Sequence, residues 1–236
     1  MTLAAIGPVA CPAVAQPITR AFLADLMARV ELPDPVVEFG SMQVESEQDS
    51  DLRRYFEGRD FTGTDFREGP GVDRVEDLRA LSYADGTIGT VICLDTLEHC
   101  EDPPQACREL ARVVAPGGVC VISSVMLFGI HGYPSDYFRF TPEGFRSLLS
   151  GFDDVRVAGT GDPGIPREVF GVGAKGRALE GLGELAALPS LLAAQARYDD
   201  PAIGIPIGPL RVPPGQLLST VARELPKTLL ARARRR

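Results

Sequence analysis

The sequence predicts an α/β fold: a doubly wound, mostly parallel sheet with helices on both faces, followed by a helical C-terminal extension. Two observations predict it. Short apolar runs of strand length alternate with amphipathic stretches of helical spacing up to about residue 175, which is the pattern of βα units. Several of those runs also end in acids or glycines, beginning with Val36-Val37-Glu38-Phe39-Gly40. In a parallel sheet the ligand sits beyond the carboxyl ends of the strands, where strand order reverses. A glycine there lets the backbone approach a ligand.

The elements follow in order. Residues 1–16 are small and apolar without a basic start, so a loose N-terminal arm is expected rather than a signal peptide. From Pro17 to Val30, Ala21, Phe22, Leu23, Leu26, Met27 and Val30 form a helical stripe. Pro33-Asp34-Pro35 breaks it and leads into the first strand. A polar segment, Gln43 to Asp51, precedes a helix-like piece through Leu52 and Tyr55-Phe56. The second strand is Asp60 to Asp65, the third Val72 to Val75 after a Gly69-Pro70-Gly71 turn, and the fourth Thr87 to Leu94. Pro104 to Val114 is helical, with Pro116-Gly117-Gly118 as its stop, and Val119 to Ser123 is the fifth strand. Thr141 is an N-cap with Pro142 in the first turn of a helix to Leu149. Asp154 to Ala158 and Glu168 to Val172 suggest a terminal antiparallel pair. The glycines from Gly171 to Gly176 lack the spacing of a phosphate loop and are expected to be a strand exit. Beyond them, Leu179 to Ala196 is rich in Leu and Ala, Asp200 to Gly215 is expected to be an extended loop, and Gln216 to Arg236 is helical in pattern, kinked at Pro226. The expected division is 1–33 for the N-terminal arm and helix, 34–175 for the main domain, and 176–236 for the extension.

Composition narrows the function classes. A hydrophobic content of 44% and charged content of 24% are those of a soluble globular protein. A net charge of −8 excludes a nucleic-acid backbone as the main partner. The five cysteines form no regular framework, so a reducing, cytoplasmic setting is expected. Cys100 and Cys107 with His99 are conceivable metal ligands, but without a Cys-x-x-Cys pair no metal is expected. No apolar run is long enough to span a membrane. For the basic end, Arg232 to Arg236, an oligomer contact or a solvated end is expected in preference to a membrane surface.

Leu97-Glu98-His99, Asp102-Pro103, Arg108-Glu109-Leu110-Ala111-Arg112-Val113-Val114 and Pro116-Gly117-Gly118 together resemble the middle of a class I S-adenosylmethionine-dependent methyltransferase. Among these, the chain is most similar to the small-molecule branch that includes quinone-biosynthesis enzymes. The stretch Asp77 to Gly86 resembles that branch too. Gly63 to Asp73 and His131 to Pro142 resemble a less-characterised subgroup with a divergent first motif. The likeness covers roughly residues 34–175 and implies a Rossmann-like sheet and S-adenosylmethionine as cofactor. By that resemblance Glu38 holds the amino-acid end of the cofactor and Gly40 lets it pass over the backbone. Asp65 accepts from the ribose hydroxyls, Asp77 receives the adenine amino group, and the backbone of Leu78 meets the ring. Leu94 and Asp95 lie beside the transferable methyl. The sequence departs from the family where Met42 and Val44 replace the second and third glycines of the first motif, and where Gly89 replaces an aspartate. A side chain at Met42 either collides with the cofactor or signals a different loop path.

Methyl transfer needs positioning, plus a base where the acceptor must lose a proton. His131 and Asp136, in the loop after the fifth strand, are the candidate catalytic groups. Tyr137 and Arg139 are candidates for orienting a polar small-molecule substrate. The alternative is that Asp136 and Arg139 form a local ion pair while Tyr137, Phe138 and Phe140 pack a lid. His99 fits an interior histidine bonded to nearby backbone. Two function classes remain: a methyltransferase acting on a small polar molecule, and a non-catalytic binding or scaffold protein that kept the sheet. A nicotinamide oxidoreductase lacks its Gly-x-Gly-x-x-Gly turn here.

Overall fold

A computed structural model describes residues 17–43, 51–132, 134–199, 205–207 and 210–212. Helix α1 (Pro17–Met27) precedes β1 (Val36–Phe39), and a 3-10 turn (Leu52–Phe56) precedes β2 (Phe61–Asp65) and β3 (Arg74–Val75). Then come β4 (Ile88–Leu94), a 3-10 turn (Leu97–His99), α2 (Pro103–Val113), β5 (Val114–Val125) and α3 (Pro142–Leu148). The antiparallel strands β6 (Asp154–Asp162) and β7 (Ile165–Ala174) follow, then α4 (Pro189–Asp199) and the short β8 (Ile205–Ile207) and β9 (Leu210–Val212).

Seven strands form one sheet in the order β3-β2-β1-β4-β5-β7-β6. The first five run parallel, and β7 joins β5 antiparallel. Strand order reverses between β1 and β4, and in open α/β sheets the carboxyl ends at such a reversal are where ligands bind. The expected doubly wound sheet is therefore the observed one, with its terminal antiparallel pair.

The central strand β4 is buried at every residue, and the strands beside it are largely apolar, because both faces of the sheet are covered there. Val36, Ile92, Leu94, Val119, Val121, Phe170 and Val172 pack with Phe22, Leu23 and Leu26 of α1 and with Leu179 to Leu191. Val37, Phe39, Val91, Cys93, Cys120 and Ile122 face the other way, against Ala106, Leu110 and Val113 of α2 and Phe145 of α3. The period-2 alternation along each strand thus separates two cores.

The chain forms two units, Met1–Leu192 and Ala193–Arg236. Helix α1 belongs to the core of the first: the Phe22 and Phe170 rings lie 4.7 Å apart. So do the leucines from Leu179 to Leu191. In the second unit the described residues are the end of α4 and the β8–β9 hairpin, within the segment expected as an extended loop. The expected helix over Gln216 to Arg236, the arm over 1–16 and Val44 lie outside the described residues.

One glycine explains a departure seen in the sequence. A Cβ on Gly89 would run into the carbonyls of Pro33 and Asp34, so the family's aspartate has no room. Pro116-Gly117-Gly118 ends α2 as expected but lies inside β5: Ile88 pairs with Val114 and Thr90 with Val119, leaving 115–118 as a bulge. The glycines expected as a strand exit are partly strand, since Gly171 to Ala174 belong to β7, and Lys175 follows it. Its Nζ donates to Ala111 O at 2.8 Å and Val114 O at 2.9 Å, capping the carbonyl end of α2.

Candidate functional site

The first group of residues stands at the tips of β1 and β2. Thr64 pairs with Phe39, one residue beyond Glu38 and one before Asp65. Burial, with the nearby charges of Asp51 and Asp65, pushes the Glu38 carboxyl up to about 8, against a smaller opposing effect from Arg53. Glu38 belongs to the face covered by α1, opposite Val37 and Phe39. Burial also raises Asp65, although the backbone N–H of Arg67 at 3.2 Å and those of Met42 and Phe66 hold it back. The neighbouring Phe66 ring is 53% exposed, with the Arg67 guanidinium over it. Sequence reasoning missed Phe66, although an aromatic directly after a strand-tip acid was visible.

Backbone and side-chain bonds direct the path after β1. Gly40 N and Ser41 N both donate to Thr64 O, and Gln43 N donates to Pro70 O at 2.9 Å. Ser41 Oγ donates to Gly71 O at 3.0 Å. The chain therefore continues alongside β2 toward the Gly69-Pro70-Gly71 turn. The Met42 side chain lies against Gly69, with the Arg67 guanidinium 3.7 Å from its sulfur. Gly40 has φ +91°, where glycine is favoured. Its missing Cβ leaves room for the Thr96 side chain, which donates to Leu94 O at 2.8 Å.

Asp77 is exposed and tied to its own turn. It accepts from Arg79 N and from the Arg79 guanidinium, which also meets Glu101 at 2.5 Å. The Arg79 side chain holds its carboxyl below the usual range. Leu78 packs on the α2 core. Asp95 follows β4 with φ 48°, a strained position for a non-glycine residue. It is pinned on both sides: Thr19 Oγ1 donates to Oδ2 at 3.0 Å, and Ser123 Oγ donates to Oδ1 at 2.8 Å.

The second group lies between the β4 tip and the segment after β5. Glu98 is 1% exposed, and Ser124 Oγ donates to it at 2.7 Å. Burial and the charge of Asp95 push its carboxyl up, against the Ser124 bond. Nearby on β7, burial raises Glu168 to about 7, helped by Asp95. His99 and His131 meet edge to face at 4.8 Å between ring centroids. His99 Nδ1 lies 2.6 Å from Ser135 O, the backbone partner expected for an interior histidine. Burial holds its pKa below the usual value despite that bond. His131 Nδ1 lies 3.1 Å from both Gly129 O and Asp136 Oδ2.

Both Nδ1 atoms thus face acceptors, which assigns the proton to Nδ1 and leaves each Nε2 lone pair available. Asp136 takes a two-pronged bond from Arg139, at 2.5 and 2.7 Å, and accepts from His131 N at 2.9 Å. Burial alone would raise Asp136, but Arg139 and His131 outweigh it and hold it low. The local ion pair of the alternative reading is therefore present. Tyr137 is 47% exposed and donates to Glu101 at 3.1 Å.

Residues 51–122 match the family model described as "Methyltransferase domain". No curated protein matches the sequence. Among solved structures, the PH0226 protein from Pyrococcus horikoshii OT3 aligns with a TM-score of 0.50 and 16% identity, over 66% of this chain and 88% of that one. A structure titled as a possible histamine N-methyltransferase from Thermotoga maritima aligns at 0.46 and 19%, over 67% and 91%. One from Haloferax volcanii, a complex of the Trm112 methyltransferase activator with a putative methyltransferase, aligns at 0.47 and 15%, over 66% and 89%.

Proposed function

We propose that this chain, a methyltransferase-domain match set in a class I methyltransferase fold, binds S-adenosylmethionine at the β1 and β2 tips. It then transfers the methyl group to a small polar molecule. The observation that carries this reading is the pair of raised carboxyls, Glu38 and Asp65, on adjacent strand tips beside the point where strand order reverses. Two crowded acids that Arg53 and Arg67 do not fully offset suit a ligand that brings an ammonium and hydroxyl donors.

When bound, the cofactor supplies a methyl group already activated on a sulfonium sulfur. In this reading Glu38 receives the ammonium and Asp65 the ribose diol, as a two-oxygen acceptor can. The exposed Phe66 ring offers a face for a flat base. Asp77 and the Leu78 backbone are assigned to the adenine edge, and Asp95 to the side of the methyl group. His131 is the base through Nε2, with Asp136 holding the ring by its Nδ1 side. Tyr137 and Arg139 border the acceptor.

Calorimetric titration with S-adenosylmethionine tests this directly. Binding is expected, weakened at least tenfold by Glu38→Gln and by Asp65→Asn. A folded sample that gives no heat at high protein concentration overturns it. One observation favours a second reading, a non-catalytic protein that has lost cofactor binding: Thr96 occupies the space that Gly40 leaves bare. That reading expects no rise in melting temperature with either S-adenosylmethionine or S-adenosylhomocysteine, since a ligand selective for the native state must stabilise it.

A further inference from the structure

Glu98, His99 and His131 bring one carboxylate oxygen and two imidazole nitrogens within 4.8 Å of one another. The three come from two separate places, the turn after β4 and the segment after β5, so no spacing in the sequence announces them. Each has its orientation fixed from behind. His99 is held at Nδ1 by Ser135 O, His131 at Nδ1 by Gly129 O and Asp136, and Glu98 by Ser124 Oγ. Imidazoles fastened at Nδ1 by carbonyl or carboxylate, which leaves Nε2 as the nitrogen free to ligate, are the outer arrangement of metal-bound histidines. Among the described residues no lysine or arginine forms an ion pair with Glu98, and Arg139, whose charge Glu98 feels, is committed to Asp136.

The geometry points to a divalent-cation site formed by Glu98, His99 Nε2 and His131 Nε2. Two imidazoles and one carboxylate suit zinc or a similar borderline transition metal better than calcium or magnesium. Three protein ligands leave at least one position open, the arrangement of catalytic rather than structural sites. Bonds of about 2.0–2.1 Å place tetrahedral ligands roughly 3.3 Å apart, so the ion draws the His131 segment toward Glu98. The site does not depend on the methyl-transfer reading. One consequence does: with the ion bound, His131 Nε2 is a ligand rather than a base, and the ion itself acidifies an acceptor hydroxyl in the open position.

The test uses the full chain, stripped of metal with a chelator and titrated with Co2+ and then Zn2+. Tetrahedral Co2+ absorption, displaced by one equivalent of Zn2+, is expected. Glu98→Gln and His131→Gln should each weaken Zn2+ binding at least 100-fold with their circular dichroism unchanged. Ser124→Ala should weaken it roughly 10- to 100-fold, as loss of a supporting hydrogen bond does, and serves if a ligand variant fails to fold. Cys100→Ser, next to His99 in the chain, should leave affinity unchanged. Acetohydroxamate added to the Co2+ form should shift the spectrum, reporting the open position. Zn2+ affinity unchanged in Glu98→Gln and Ser124→Ala, or lost in Cys100→Ser, overturns the site; a spectrum indifferent to acetohydroxamate overturns its open position.

Discussion

With its carboxyl raised to about 8, Glu38 is mostly protonated in the folded protein at pH 7, while in the unfolded chain it ionises near its ordinary 4.5. A folded pKa raised in this way makes a contribution to stability that is complete below about 4.5 and lost as pH climbs through about 8. The variant Glu38→Gln should therefore gain on the wild type between pH 5 and pH 8.5, by on the order of a few kcal/mol. Urea unfolding at both pH values checks this, and a gap that stays constant would refute it. If the cofactor ammonium pairs with the carboxylate, binding at pH 7 must also release a proton. Calorimetry in buffers of different ionisation enthalpy should then report nearly one proton per site, and none in Glu38→Gln. Gly40 offers a second test. Alanine there meets both φ +91° and the Thr96 side chain, so Gly40→Ala should cost roughly 2–4 kcal/mol, partly recovered by adding Thr96→Ala. Strand-tip acids such as Glu38 and Asp65 were legible because a short apolar run pointed to them. Glu98 was not singled out, since its chemistry comes from burial beside Ser124 and from histidines that meet only when β4 and β5 pair.

At the level of elements, the apolar runs located β1, β2 and β4 to within about a residue, and Thr141 caps α3 as its sequence suggested. The extent of β5 was not legible. A Pro-Gly-Gly stop signals a turn, and only pairing with β4 shows that the strand resumes across it. Likewise the altered first motif left two paths open for the loop, and the bond from Gln43 N to Pro70 O, which sets the direction of residues 41–43, joins residues far apart in sequence. Lys175 gives a prediction at this scale. Its ammonium satisfies carbonyls at the end of α2, so Lys175→Met should lower stability by about 1–2 kcal/mol by removing charge-assisted bonds. Chemical denaturation measures it, and a neutral result would mean that water replaces the ammonium without cost.

For the molecule as a whole, alternation of strand and helix was enough to give the sheet and its winding, because a strand buried on both faces has few other places to go. What alternation left out was the role of residues 179–191, whose leucines close the α1 face of the core. Their spacing carries no strand signal and only a weak helical one. The methyl-transfer reading makes its prediction here. Saturating S-adenosylhomocysteine at 100 times its Kd should stabilise the native state by about 2.7 kcal/mol, seen as a higher melting temperature. Glu38→Gln and Asp65→Asn together should abolish that rise.

The contact between Phe22 and Phe170 also bears on how this chain comes off the ribosome. An early helix finds its aromatic partner only after some hundred and fifty further residues have been made. Until then its oily side has nothing to lie against, and a half-synthesised chain presents it to every neighbour in the cell. Nascent fragments ending before β7 should therefore cling to chaperones or clump, whereas those reaching Leu191 should not.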